Sequence, residues 1–173
     1  MIFIMPQENR ADMTDVFEFR VPVLVMGGGA CGAAAALAAR DAGADVLLIE
    51  RDGHPMGTTG MSMGVFCAAG TKAQAKRGIE DDGDTFFADI MAKSRGEADP
   101  VVAHALAHGS GPTIDWLTER FDIDLDVDMG FRPSYGNSRL RIHGWLGHGG
   151  QDVIELLHQR MADAGVDVLM NAR

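Results

Sequence analysis

The apolar run Val21-Pro22-Val23-Leu24-Val25-Met26 leads directly into Gly27-Gly28-Gly29-Ala30-Cys31-Gly32, and Glu50 lies eighteen residues beyond Gly32. The glycines form a G-x-G-x-x-G pattern between an expected strand and an expected helix. Gly27 permits a tight turn, Gly29 lets a pyrophosphate approach the backbone, and Gly32 lets the helix pack closely on the sheet. The alanine-rich stretch Ala33 to Ala39 favours helix, so the pattern predicts a helix over 30–42 that stops near Gly43 as a C-cap. Asp45-Val46-Leu47-Leu48-Ile49 then reads as a second parallel strand with Glu50 at its carboxyl end. That order predicts a βαβ unit with a dinucleotide's pyrophosphate at the helix N-terminus and its ribose on Glu50. An acid at this position repels a 2′-phosphate, which disfavours NADP and leaves NAD and FAD open.

The next stretch, Arg51 to Gly64, is rich in Gly, Thr and Ser. Its hydroxyls and N–H groups suit the second half of a long ligand, while a surface loop has the same composition. Glu50-Arg51, Gly57-Thr58-Thr59 and Ser62-Met63-Gly64 resemble the flavoprotein subunit of fumarate reductase and succinate dehydrogenase. The chain is most similar to soluble relatives of that family: 3-ketosteroid dehydrogenases, urocanate reductases and flavocytochrome c. Ala68-Ala69-Gly70-Thr71, Gly78-Ile79-Glu80-Asp81 and Thr85-Phe86-Phe87-Ala88-Asp89 extend the resemblance, which runs from about Phe19 to Arg173.

The resemblance implies FAD. Gly27, Gly28, Gly29, Ala30, Cys31 and Gly32 form the expected cofactor loop, with Gly27, Gly29, Ala30 and Gly32 along the pyrophosphate. Glu50 holds the adenosine ribose and Arg51 lies beside the adenine. Gly57, Thr58, Thr59, Ser62, Met63 and Gly64 belong to the segment facing the ribityl and isoalloxazine portion. Thr58 stands where the membrane-complex members carry a histidine bonded covalently to flavin, so non-covalent FAD is expected.

Beyond this loop, 84–97 and 99–120 read as helices with Asp84 and Asp99 as N-caps and Pro100 at a first helical position. Gly109-Ser110-Gly111-Pro112 is expected to break or kink the second of them. His104 and His108 share a helical face, but the sequence shows no third metal ligand nearby, and no metal is expected. Alternation over Asp122 to Asp128 predicts a short half-buried strand. The loop Arg139 to Gly150 gathers two Arg, two His and a Trp; by the resemblance it runs near the flavin. Arg141, His143 and His148 are its catalytic candidates, and Trp145 either packs on flavin or fills a glycine-rich connection. A helix over 151–164 and a third parallel strand over 166–170 follow.

With 173 residues and a net charge of −10, the chain is long enough for a core and a poor partner for nucleic acid or anionic lipid. Its two cysteines, Cys31 and Cys67, form no disulfide framework, no apolar run approaches a membrane span, and a cytoplasmic location fits. Residues 1–17 read as a loose extension and 18–173 as the N-terminal portion of an FAD-binding α/β domain, Rossmann-like, with a parallel sheet and inserted helices. Family members continue into a substrate-capping domain, so the chain is expected to be truncated before it. The first strand then reads as a bare hydrophobic edge, which calls for an oligomer or a second chain to cover it. The expected function is the FAD-binding part of an oxidoreductase that exchanges hydride with a C–C bond beside a carboxylate or ketone. The alternatives are a non-catalytic nucleotide-binding subunit needing a partner chain and an NAD-linked dehydrogenase fragment. The Thr-rich loop after Glu50 argues against the last.

Overall fold

The computed structural model describes residues 2–3 and 20–172. The chain forms two compact units, one of Met1–Ser62 with Gly150–Arg173 and one of Met63–Gly149. The expected loose extension over 1–17 lies mostly outside the described residues.

The first unit is built on the predicted βαβ motif. Strand β2 (Val23–Met26) pairs in parallel with β3 (Val46–Ile49), with Val23 opposite Val46 and Met26 opposite Ile49. Helix α1 (Ala30–Asp41) connects them and ends at Ala42, with Gly43 in the left-handed region at φ +86°. Its core face is Ala33, Ala36 and Leu37, small enough to bring the helix axis close to the sheet. Helix α6 (Gly150–Asp163) buries Val153, Ile154, Leu157 and Met161 at helical spacing, and β7 (Asp167–Leu169) pairs in parallel with β3. Strand order is β1-β2-β3-β7, where β1 (Ile2–Phe3) lies antiparallel on β2, opposite Leu24 and Val25. The edge expected to be bare therefore carries the chain's own residues over half its length, because two extended residues suffice to satisfy the backbone there. The two pieces of this unit meet where the Gly150 N–H donates to the Ser62 carbonyl at 3.1 Å. A Cβ on Gly150 would overlap the carbonyl of Thr59, so glycine is required at that close approach.

The second unit departs further from the sequence reading. It contains an antiparallel sheet ordered β4-β6-β5, made of Val65–Cys67, Ile142–Gly144 and Asp126–Val127. The alternating acidic segment contributes only Asp126 and Val127 to a strand, although Ile123, Leu125 and Val127 are all buried as period two requires. Around this sheet lie α3 (Lys72–Lys76), α4 (Gly83–Lys93) and α5 (Pro100–Phe121). Thr71 and Gln74 close a reciprocal capping box on α3. The N-cap of α4 is Asp82, not Asp84; its carboxylate accepts the Thr85 N–H at 2.7 Å. The expected break at 109–112 is absent: α5 runs unbroken from the Asp99 cap through Pro112. Side-chain hydroxyls bond backbone carbonyls on either side of the proline, Thr113 donating to Gly109 at 2.8 Å and Ser110 to Ala107 at 2.9 Å. Gly111 packs where a Cβ would overlap the Ala69 carbonyl. His104 and His108 do have a third potential ligand, because the start of α4 brings Asp84 beside them.

The core of this unit includes a buried ion network. Arg141 donates from Nε to Asp81 at 2.7 Å and from Nη2 to the second Asp81 oxygen at 2.8 Å, and both side chains are fully buried. Its Nη1 serves Asp89 and, at 3.2 Å, Asn137, while its guanidinium carbon sits 4.6 Å from the Phe86 ring centre. Burial pushes the Asp89 carboxyl up, but hydrogen bonds from Arg141 and Ser138 together hold it below its usual value. Among the described residues no helix is long and apolar enough to cross a membrane. Removing one member of a buried ion pair strands the other. Arg141→Met is therefore expected to lower unfolding stability by about 3–5 kcal/mol, measured as urea unfolding of the variant against the parent chain.

Candidate functional site

The glycine loop leaves β2 at Gly27, which takes φ +100°. A Cβ on Gly32 would overlap the Gly27 carbonyl, so the first turn of α1 can fold back on the loop only with glycine there. A Cβ on Gly29 would meet nothing nearer than Thr59 Oγ1 at 3.6 Å, so protein packing does not demand glycine at 29. Gly29 is the N-cap of α1 and supplies no side-chain cap, and the first turn carries no acid. A helix start of this kind presents N–H groups and about half a positive charge without any internal anion to answer them.

Glu50 faces this loop from the end of β3. Its Oε2 accepts the Gly28 N–H at 2.6 Å and its Oε1 accepts the Asp52 N–H at 2.9 Å. These two bonds, the one from Asp52 the stronger, hold the Glu50 carboxyl below its ordinary value against a smaller opposing effect of burial. It is an anionic acceptor with lone pairs left for ribose hydroxyls. Arg51 is exposed and paired with Asp52 at 3.2 Å.

The threonine-rich segment returns to the same place. Short helix α2 (Gly57–Gly60) begins with Gly57 at φ +54°. Thr59 Oγ1 accepts the Ala30 N–H at 3.1 Å, so this hydroxyl stands at the α1 N-terminus. Ser62 donates to the Thr59 carbonyl at 2.7 Å, and Thr58 is exposed. Gly27, Gly28, Gly29, Ala30, Cys31, Gly32, Glu50, Arg51, Gly57, Thr58, Thr59 and Ser62 thus all belong to the first unit.

The second unit holds the other predicted residues. Met63 is exposed, and Gly64 is buried with φ +72°. Arg141 occupies the ion network described above. His143 is buried, with Nδ1–H donating to the Arg141 carbonyl at 2.8 Å and Nε2 2.8 Å from Thr71 Oγ1. A carbonyl only accepts, so Nε2 of the neutral ring accepts from the Thr71 hydroxyl. Burial pushes the His143 pKa down, which keeps the ring neutral. His148 is exposed and stacks on Trp145 at 3.5 Å.

One residue at the loop escaped the sequence reading. His158 of α6 donates from Nε2 to the Gly28 carbonyl at 2.6 Å. A Cβ on Gly28 would lie 3.1 Å from this ring and 3.2 Å from Glu50 Oε2, so the peptide is wedged between the two side chains. The signal was present in the helical spacing: His158 lies four residues after Ile154 and three before Met161, both buried. A polar residue on a core-facing stripe asks for a partner.

A helix start with no acid in its first turn and only a neutral hydroxyl on it fits a pyrophosphate, and an ionised Glu50 fits the ribose beside it. Comparison with known proteins agrees, since residues 22–173 match the family model described as FAD binding domain. The chain belongs to that family. It is 32% identical over 160 residues to a probable fumarate reductase of Shewanella frigidimarina (strain NCIMB 400), covering 87% of this chain and 25% of that protein. The open conformation of a flavocytochrome c3 fumarate reductase superposes with a TM-score of 0.76 at 34% identity, over 87% of this chain and 26% of that one. A 3-ketosteroid-delta4-(5alpha)-dehydrogenase from Rhodococcus jostii RHA1 shares the fold, with a TM-score of 0.72 at 23% identity over 94% of this chain and 40% of that one. The chain spans about a quarter of the length of the curated fumarate reductases it matches.

Two outcomes follow for the site. His158→Phe keeps an aromatic ring but leaves the Gly28 carbonyl unpaired, and is expected to lower stability by about 1–3 kcal/mol, read from denaturant melts. The lowered Glu50 pKa means that its contribution is fully present above the usual glutamate range. It is lost as pH falls through the lowered value. The drop in thermal midpoint between neutral and acid pH should be smaller in Glu50→Gln than in the parent.

Proposed function

We propose that this chain is the FAD-binding part of a flavin-dependent oxidoreductase, holding the cofactor without a covalent bond. The observation that carries the reading is the α1 N-terminus, with no side-chain cap from Gly29 and no acid in its first turn, and the Glu50 carboxylate fixed by the Gly28 and Asp52 N–H groups beside it. FAD supplies two-electron chemistry when bound. Gly29 and the first turn of α1 receive the pyrophosphate, Glu50 receives the ribose, and Arg51 lies toward the adenine. Thr58, Thr59, Ser62, Met63 and Gly64 serve the ribityl and ring portion. Thr58 has no nucleophilic nitrogen to offer flavin, which supports the non-covalent form.

The reaction in the complete protein is hydride exchange with a C–C bond activated by a carboxylate or ketone, in line with the fumarate reductases it is similar to. Arg141 and His143 are spent on buried partners in the second unit, so in this reading they hold that fold rather than move protons. His148 is the remaining candidate of the three. The two free thiols, Cys31 and Cys67, suit a reducing cytoplasm. Because the chain spans about a quarter of its curated relatives, substrate capture is assigned to a further domain or a partner chain. The case for an oligomer loses the bare-edge argument, since β1 lies on β2. Under the second reading, a nucleotide-binding subunit, the chain takes ADP but not the flavin ring.

The test is to add FAD to the purified chain, remove the excess, record the visible spectrum and then precipitate with acid. Yellow protein whose colour passes to the supernatant is the expected result. Colour retained in the pellet overturns the reading of Thr58. Protein that binds ADP but stays colourless supports the subunit reading instead.

A further inference from the structure

Asp84, His104 and His108 form a cluster that the cofactor site does not use. His104 and His108 are one helical turn apart on α5, and their rings stack with centroids 4.0 Å apart and planes 26° from parallel. The Phe87 and His104 rings meet in an edge-to-face arrangement with centroids 5.7 Å apart. Asp84, in the first turn of α4, places Oδ1 3.2 Å from His108 Nε2. The backbone is fitted to this arrangement. A Cβ at residue 83 would lie 2.5 Å from His108 Nδ1, so Gly83 lets the imidazole lie across the start of α4 with Nε2 turned to Asp84.

One donor atom from each of the three side chains lies within 4.8 Å of the other two. Ligands at zinc distances of ~2.0–2.2 Å lie about 3.4 Å apart around a tetrahedral ion. Rotation of the three exposed side chains, with the two imidazoles turned out of their stack, brings the donor atoms to that spacing. Two imidazoles and a carboxylate suit zinc, and three protein ligands leave one position to water. The net charge of −10 draws cations toward the surface.

We propose that Asp84, His104 and His108 bind a divalent transition-metal ion, zinc by preference, and that the bound ion ties the start of α4 to the first half of α5. The site is open to solvent, so the ion exchanges freely with the medium. Its binding stabilises the fold by mass action.

The test uses the whole chain, stripped with a chelator, and two probes. Co²⁺ is titrated while its visible absorption is followed, and Zn²⁺ is added while the thermal midpoint is read. The expected result is saturation at one Co²⁺ per chain and a rise in midpoint with Zn²⁺, both lost in His104→Ala and in Asp84→Asn. These residues are exposed, and unchanged far-ultraviolet circular dichroism checks that the variants fold. Absence of a saturable step in the parent overturns the proposal. So does the same saturation and the same midpoint rise in both variants, which would assign the metal to other histidines or thiols.

Discussion

The contact on which the first unit depends is the one between Gly32 and the Gly27 carbonyl. With no Cβ at 32, the first turn of α1 closes onto the strand end, and the loop between them is forced into a tight curl. Everything at the site is referred to that curl. It turns the Gly28 N–H toward Glu50 and the Gly28 carbonyl toward His158, so that the two peptide groups flanking this residue are each held by a side chain. It also leaves the helix N-terminus open, where the Thr59 hydroxyl takes the Ala30 N–H. A loop fixed by strand, helix and side-chain partners is held in place before any ligand arrives. A ligand bound there would cost little conformational entropy.

The second unit is held by a different kind of interaction. Its three-stranded sheet is short, and the polar groups of Arg141, Asp81, Asp89 and Asn137 occupy space that apolar side chains fill elsewhere. Such a network is stable only when every member is satisfied. Arg141 meets that condition by using its fork on Asp81 and its remaining nitrogen on Asp89 and Asn137. His143 and Thr71 extend the polar core, and the capping box on α3 anchors Thr71 in turn.

The βαβ motif was legible because its signals are local: glycine spacing, an alanine-rich helix and an acid at a strand end all fall within thirty residues. The resemblance grouped Thr59 with the glycine loop, but it did not point to the Ala30 N–H that its hydroxyl accepts. What escaped were contacts between residues distant in sequence. His158 reaches Gly28 across 130 positions, and Asp84 joins His104 and His108 only because α4 packs on α5. The cap at Asp82 was missed for the opposite reason: three aspartates lie within four positions, and local propensity does not choose between them. Pro112 misled because the helix-breaking rule counts the lost N–H but not the packing of α5 in the folded unit, where Gly111 lies close against the Ala69 carbonyl.

The order in which the first unit is written in the chain has a consequence for how it is made. Its sheet needs β7, and its glycine loop needs His158, yet both emerge from the ribosome after the whole of the second unit. The N-terminal βαβ segment must therefore wait through 63–149 before its last strand and its supporting helix exist. A folded insert shortens that wait in entropic terms, because closing Ser62 onto Gly150 across a compact body constrains fewer free residues than closing it across an open coil. The first unit is complete only once 150–169 have been made, after the whole of the second unit.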